Sequence, residues 1–157
     1  MNDNLKALLA NQYKMLDGLL KNINKNILVT KPGNGKWSVF ENVAHLGRYN
    51  EIFLGRMQEI QNKNNPAFES YVADNEEGFI EWSGKSFDLA LADFYSSREA
   101  IIKFFESLSD EQLKRTGTHT KFGELTVTEW LEFFLLHEAH HFFTIFKLIH
   151  QKDKLFY

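Results

Sequence analysis

Apolar residues recur at helical spacing in four long segments of this sequence, and polar stretches separate these segments. The segments cover residues 4–24, 38–61, 87–108 and 126–149. Within each one, leucine, isoleucine or aromatic residues return every three or four positions, so that one face of a helix would be apolar. The pattern therefore predicts four long amphipathic helices, which are the components of an all-α four-helix bundle.

Two of the predicted helices begin at a capping box, in which a serine or threonine and a glutamate three residues later satisfy each other's backbone amides. The second helix starts this way at "SVFE", residues 38–41, and the fourth at "TVTE", residues 126–129. A turn-rich break at residues 31–36 precedes the second helix. A long polar stretch, residues 61–85, follows it, and there we expect a short helix near residues 74–80.

The remaining signals define the fold class. Strand signals are weak except in "THTKFGELTV", residues 118–127, which predicts a small hairpin. A chain of 157 residues with 43% hydrophobic residues can bury a sizeable core as one unit. We therefore expect a single domain over residues 1–157, an all-α four-helix bundle with a long crossover connection between helices two and three.

Charge and cysteine content limit the classes of partner and the cellular compartment that we expect for this protein. The net charge is −3 with both signs interspersed, so no basic patch points to a nucleic-acid partner. No apolar run approaches the ~18 residues that span a bilayer, and the first residues do not resemble a signal peptide. The absence of cysteine removes any protein thiolate ligand and fits a reducing compartment. These features predict a soluble, cytoplasmic protein without a nucleic-acid or membrane partner.

The fourth predicted helix carries three histidines in "LHEAHHFFTIFKLI", residues 136–149. His137 and His141 lie one helical turn apart on the inward face, so their imidazoles could bind one metal ion at about 2.0–2.1 Å per nitrogen. His140 points about 100° away from His141. Two core histidines that hydrogen-bond to neighbouring polar groups would explain the same spacing, and for an isolated pair this is the simpler interpretation.

The letters HEAHH also match the zinc-protease signature H-E-x-x-H, but a downstream third ligand is missing. The extended protease pattern requires glycine and histidine where this chain has Thr144 and Lys147. Only 16 residues follow His141, too few for another helix and a binding cleft, so any third ligand would have to come from upstream. The candidate is His45, two turns into the second helix and at the edge of its apolar face. Taken alone, His45 is most simply a partly buried histidine.

Two stretches, "GKWSVFENVAHLGRYNEIFLGRM" and "LTVTEWLEFFLLHEAHHFFTIFKLI", resemble the DinB-like (damage-inducible) superfamily, which includes bacillithiol transferases. The most specific elements are W-S-x-x-E-x-x-x-H-L at the start of helix two and H-x-x-x-H in helix four. The resemblance covers nearly the whole chain. It implies a four-helix bundle with a crossover and a divalent metal held by His45, His137 and His141. Zinc or nickel is the expected metal, and iron is a further candidate.

The resemblance also implies a function. In the related transferases the open metal position takes a small-molecule thiol, which the metal holds as the nucleophilic thiolate. We therefore expect a metal-dependent transferase that joins a low-molecular-weight thiol to an electrophilic small molecule. The alternatives are a non-catalytic metal-binding or small-molecule-binding bundle, and a hydrolase or isomerase that uses metal-bound hydroxide.

Neighbouring polar residues supply further candidates for the site. Glu138 could act as a catalytic base, although a solvated helix face explains it more simply. Arg48 and Tyr49 lie about a turn beyond His45 and are candidates for binding an anionic thiol or the substrate. His119 falls in a turn-rich stretch and is expected to be an exposed loop residue.

The aromatic residues of the fourth helix are informative about the oligomeric state of the protein. At about 100° per residue, four phenylalanines of this helix cannot all face one core: Phe133, Phe142, Phe143 and Phe146. The resemblance implies that homodimers are common among such bundles. We therefore expect a homodimer in which a second copy covers part of the fourth helix.

Overall fold

The computed structural model describes residues 1–33, 35–74 and 76–150, which form a four-helix bundle with one small sheet. In chain order the elements are α1 (Asp3–Asn11), α2 (Met15–Leu20), α3 (Lys25–Val29), α4 (Val39–Asn62), β1 (Ala67–Phe68), α5 (Glu77–Gly84), α6 (Phe87–Glu106), α7 (Asp110–Leu113), β2 (Thr116–His119), β3 (Gly123–Thr126) and α8 (Val127–His150). A 3-10 turn, Gln12–Lys14, joins α1 to α2. The four bundle segments are α1 with α2, then α4, α6 and α8.

The predicted capping boxes form at the starts of α4 and α8. Ser38 Oγ accepts from the Glu41 amide at 3.1 Å, and Glu41 Oε2 accepts from the Ser38 amide at 2.9 Å. Thr126 and Glu129 make the same reciprocal pair at 3.2 and 2.7 Å. These local hydrogen bonds define where both long helices begin, and the predicted starts of both helices are confirmed.

The first predicted helix is interrupted and ends earlier than its apolar pattern indicates. Just after α2, Asn22 adopts a left-handed conformation with φ of 60°, which a continuing right-handed helix does not allow. At the 3-10 turn, the side chain of Gln12 reaches α8 and donates to the Leu135 carbonyl at 2.8 Å. The short helix predicted near residues 74–80 is α5, which begins at Glu77. Positions 34 and 75, inside the predicted break and the predicted short helix, lie outside the described residues.

A three-stranded sheet packs against α8. The predicted hairpin is the antiparallel pair β2–β3, and β1 adds to β2 in parallel. The sequence did not predict β1, because a strand of two residues is too short to show an alternating pattern. Trp130 of α8 donates its indole N–H to the Gly117 carbonyl at 3.1 Å and meets the Phe68 ring edge-on at 5.7 Å. Trp130, near the start of α8, therefore contacts both β1 and β2.

The apolar residues of α8 divide between the core and the surface, as their spacing predicts. Phe142 is buried, whereas Phe143 and Phe146 are 60% and 46% exposed. That a second copy of the chain covers this outer strip stays a prediction. In the part of the chain that the structure describes, no helix is long and apolar enough to span a membrane.

Candidate metal centre

Three histidines from two helices meet in the interior of the bundle. His137 Nε2 lies 3.1 Å from Nε2 of His45 on α4 and 3.2 Å from Nε2 of His141, one turn further along α8. Nitrogens bound to one ion at about 2.0–2.1 Å lie about 3.3 Å apart in a tetrahedral site and about 3.0 Å apart in an octahedral one. The observed separations therefore suit three ligands of a single ion, and all three donor atoms face one another closely enough to bind it.

The surroundings of the triad keep its imidazoles neutral. His45 and His141 are 5% and 9% exposed, and His137 is half-buried. Burial, followed by the repulsion of neighbouring histidines, lowers the pKa of His45 to about 3 and that of His137 to about 4, and it lowers the pKa of His141 as well. Neutral imidazoles carry the free lone pair that a metal ligand needs, so no proton has to leave before an ion binds near pH 7.

One ligand is oriented by a second residue of α4. His141 Nδ1 lies 2.8 Å from Asn42 Oδ1, and Asn42 Nδ2 donates to the Ser38 carbonyl at 2.8 Å. Because the amide oxygen only accepts, His141 carries its proton on Nδ1 and presents a lone pair on Nε2. The Nδ1 atoms of His45 and His137 are buried and have no hydrogen-bond partner among the described residues.

Aromatic rings from the segment before α4 and from the connection before α5 pack against the triad. The Trp37 ring lies 4.8 Å from the His45 ring and 6.1 Å from the His141 ring. Tyr71 stacks on His45 with centroids 5.6 Å apart. Such walls exclude water and account for the burial that lowers the three pKa values.

A cavity of about 250 Å³ adjoins the triad. His45 and His137 contribute to its wall and His141 does not, so the cavity lies beside two of the three candidate ligands. The other lining residues are aromatic, hydroxylic or basic: Tyr49, Arg56, Ser70, Tyr71, His119, Lys121, Phe122 and Phe133. Within the described ranges, no aspartate or glutamate contributes to the cavity wall. The lining thus offers hydrogen-bond donors and positive charge, without a carboxylate base.

Residues 8–145 match the DinB superfamily, which is most of the chain. The chain belongs to the DinB superfamily. Among its relatives, YuaE of Bacillus subtilis (strain 168) is 26% identical over an alignment of 139 positions that covers 78% of this chain and 83% of YuaE. The predicted family and the predicted four-helix bundle are both confirmed.

Solved structures share the fold of this DinB-superfamily chain. YfiT from Bacillus subtilis, described as a probable metal-dependent hydrolase with an unusual four-helix bundle topology, superposes with a TM-score of 0.79 at 19% identity. The match covers 96% of this chain and 86% of YfiT. The DinB-like protein YjoA, also from Bacillus subtilis, superposes with a TM-score of 0.64 at 18% identity, over 96% of this chain and 92% of YjoA. At these identities the likeness concerns the fold.

Glu138 does not lie on a solvated face, and that expectation is wrong. Its side chain is fully buried, with Oε1 accepting from Arg98 Nε at 3.0 Å and Oε2 accepting from Gln12 Nε2 at 2.8 Å. A buried carboxylate requires such partners, and α6 and the 3-10 turn supply them. Both oxygens are therefore engaged, and Glu138 does not line the cavity beside the triad in this DinB-superfamily chain.

Of the two candidate residues that follow His45 on α4, Tyr49 lies at the cavity and Arg48 does not. Tyr49 lines the cavity, with its ring centroid 4.4 Å from that of His137. Arg48 is not brought to the cavity, because its guanidinium contacts Glu76 at 2.7 Å and Glu51 at 2.9 Å. Glu76 is the N-cap of α5 and also accepts from the Tyr71 hydroxyl at 3.2 Å. Arg48 thus stabilises the connection that carries Tyr71 over the triad.

His119 is the site residue that the sequence interpretation missed. It is the last residue of β2 and only 4% exposed, so the expectation of an exposed loop histidine is wrong. It lines the same cavity as His45 and His137. The alternation of β2 turns Gly117 and His119 inward, but four residues give too short a pattern to reveal this from sequence. His140 and His150 are exposed.

Proposed function

We propose that this protein is a metal-dependent transferase that joins a low-molecular-weight thiol to an electrophilic small molecule. His45, His137 and His141 would hold the divalent ion, zinc or nickel in the first instance. The observation that carries the proposal is the set of three neutral imidazoles, with His137 Nε2 3.1 Å from that of His45 and 3.2 Å from that of His141, beside a cavity lined by donors and basic groups. Three protein ligands with an open position are typical of catalytic rather than structural sites.

When bound, a divalent ion would acidify a thiol at the open position and favour the nucleophilic thiolate. The residues of the chain provide the surroundings for transfer. Tyr49 and Tyr71 form an aromatic wall, and Arg56 and Lys121 bring positive charge to a cavity that must accept an anionic sulfur. In the transfer, sulfur forms a bond to the electrophilic carbon, the leaving group departs with the bonding electron pair, and the thiol proton passes to solvent.

A metal-dependent hydrolase is the second candidate, and the description of YfiT favours it. In that case the open position would be used by water, whose pKa a bound dication lowers towards about 7. A hydrolase would then have to move its protons without a carboxylate at the cavity wall, because the described lining residues include none. The transferase does not need such a base, because the bound ion itself would favour the thiolate, and this supports the transferase over the hydrolase.

The test is turnover of two probes by metal-loaded protein. We expect chlorodinitrobenzene to be consumed only when mercaptoethanol is present, and nitrophenyl acetate to be hydrolysed no faster than by buffer. Activity on the ester that needs no thiol, and that added thiol suppresses, would overturn the transferase in favour of the hydrolase. A fully loaded protein without either activity would favour a non-catalytic metal-binding bundle. His137→Ala should lose the activity and His140→Ala, which changes an exposed neighbour, should keep it.

A further inference from the structure

His119 occupies an unusual place for an imidazole. It is the inward-facing end of β2, 4% exposed, with its ring among the aromatic rings of Phe122, Trp130 and Phe133 at centroid distances of 4.8, 5.5 and 5.6 Å. A purely structural position of this kind is normally filled by an apolar side chain. Here a polar ring stands at the wall of the cavity that also contains His45 and His137.

The hydrogen bonding of His119 determines which ring nitrogen carries its proton. Nδ1 lies 3.0 Å from the backbone nitrogen of Lys121, which can only donate, so Nδ1 is the acceptor. Burial, together with the positive charges of Arg56 and Lys121, lowers the pKa of His119 and keeps the ring neutral. The remaining proton is therefore on Nε2.

The Nε2–H group of His119 is available to a ligand. Among the described residues, no protein acceptor contacts Nε2, yet this atom is not one of the buried polar atoms left without a partner. It therefore reaches open space, and the open space beside His119 is the cavity at the triad. The other inward residue of β2, Gly117, offers no side chain, because a Cβ there would come within 2.8 Å of Ile60.

We infer that His119 contacts the ligand bound at the triad, donating its Nε2–H to an oxygen acceptor such as a carboxylate or carbonyl. Resting on the proposed function, this inference assigns a specificity to the site: ligands that carry an acceptor beyond the metal-bound atom bind more tightly. Arg56 and Lys121 on the same cavity wall add to the preference for a negatively charged acceptor, and no described lining residue opposes it with a carboxylate.

Equilibrium binding to cobalt-loaded protein tests the contact without turnover. Mercaptopropionate and propanethiol both bind cobalt through sulfur, but only the first carries a carboxylate, and thiolate-to-cobalt absorption reports both. We expect His119→Phe, which keeps an aromatic ring, to weaken mercaptopropionate about tenfold and propanethiol less than about twofold. His119→Gln, which retains a donor, should recover most of the loss. Cobalt content and the thermal unfolding midpoint, measured for each variant, identify a variant that has merely failed to fold.

Acetate, titrated through the cobalt d–d spectrum, separates this inference from the proposed function. If the parent protein binds acetate in a His119-dependent manner but no thiol, the transferase fails and the His119 contact stands. If thiols bind and His119→Phe retains the same preference for mercaptopropionate over propanethiol, the His119 contact is overturned and the transferase stands. If neither ligand binds to cobalt-loaded protein, both are overturned.

Discussion

Asn42 orients His141 across the interface between α4 and α8, with 2.8 Å between Asn42 Oδ1 and His141 Nδ1. The same amide donates to the Ser38 carbonyl at 2.8 Å, so its position is tied to the first turn of α4. A histidine held in this way has its tautomer and its ring direction determined before a metal arrives. The capping box that starts α4 is therefore connected to the candidate metal site through one amide.

Asn42→Leu should weaken metal binding about 10- to 100-fold, because His141 loses the acceptor that keeps its proton on Nδ1. The matched control is Asn50→Leu, which removes an equally buried asparagine from the same helix, where it hydrogen-bonds to Ser97. Competition of each variant with a zinc-sensitive dye gives the affinities. Equal affinities in the two variants would contradict the orienting role of Asn42.

Removing any one of the three site histidines should abolish stoichiometric metal. We expect His45→Ala, His137→Ala and His141→Ala to retain much less than one ion per chain after dialysis, since two imidazoles alone hold a divalent ion weakly. His140→Ala, which changes an exposed histidine on the same helix, should retain the metal of the parent protein. Elemental analysis of the purified variants is the measurement. Full occupancy in His45→Ala would refute the ligand from α4.

Glu138→Ala should unfold more easily rather than merely lose activity. Arg98 is fully buried, and without the carboxylate its charge is uncompensated, which costs about 3–5 kcal/mol. Glu59→Ala breaks an exposed pair with Lys63 and should cost less than about 1 kcal/mol. Urea unfolding of the two variants gives the comparison. A stable Glu138→Gln protein with normal metal content and no turnover would instead support the catalytic role first considered for Glu138.

Two glycines of α4 should respond to alanine in opposite directions. A Cβ at Gly47 would lie 2.1 Å from the Trp82 ring of α5, so we expect Gly47→Ala to lower the free energy of unfolding by about 1–3 kcal/mol. A Cβ at Gly55 meets nothing within 4 Å, and there alanine should stabilise the helix by about 0.5–1 kcal/mol. Urea unfolding again measures both. A neutral Gly47→Ala would mean that α5 can move away from α4.

Acid should destabilise the metal-free protein from about pH 6.5 downwards. The unfolded histidines titrate near 6.5, whereas burial lowers the pKa of His45 to about 3 and of His137 to about 4 in the folded protein. Between these values the unfolded state binds more protons, so the free energy of unfolding falls by about 1.4 kcal/mol per pH unit for each such histidine. In the presence of a chelator, His137→Gln should show a shallower pH dependence than His140→Gln. If the free energy of unfolding varied with pH equally in the two variants, His137 would be protonated to the same extent in the folded and the unfolded protein.

The long helices and their capped starts could be predicted from the sequence, because they depend on interactions within a few residues. Apolar spacing and the reciprocal pairs at Ser38 and Thr126 are local, and the structure reproduces them. The spacing of His137 and His141 is likewise a property of one helix. Only the family resemblance assigns His45 to the same site, because no local rule relates residues 92 positions apart.

The roles of the other polar residues depend on contacts between distant segments and could not be predicted from the sequence. Glu138 and Arg98 are 40 positions apart, and whether a charged helix residue is solvated or paired depends on what packs against it. His119 is buried because the two residues of β1, from a distant connection, pair with β2, and because Trp130 anchors that strand. Burial and hydrogen-bond partners arise from contacts between distant segments, and a periodic pattern along the chain carries no information about which segments meet.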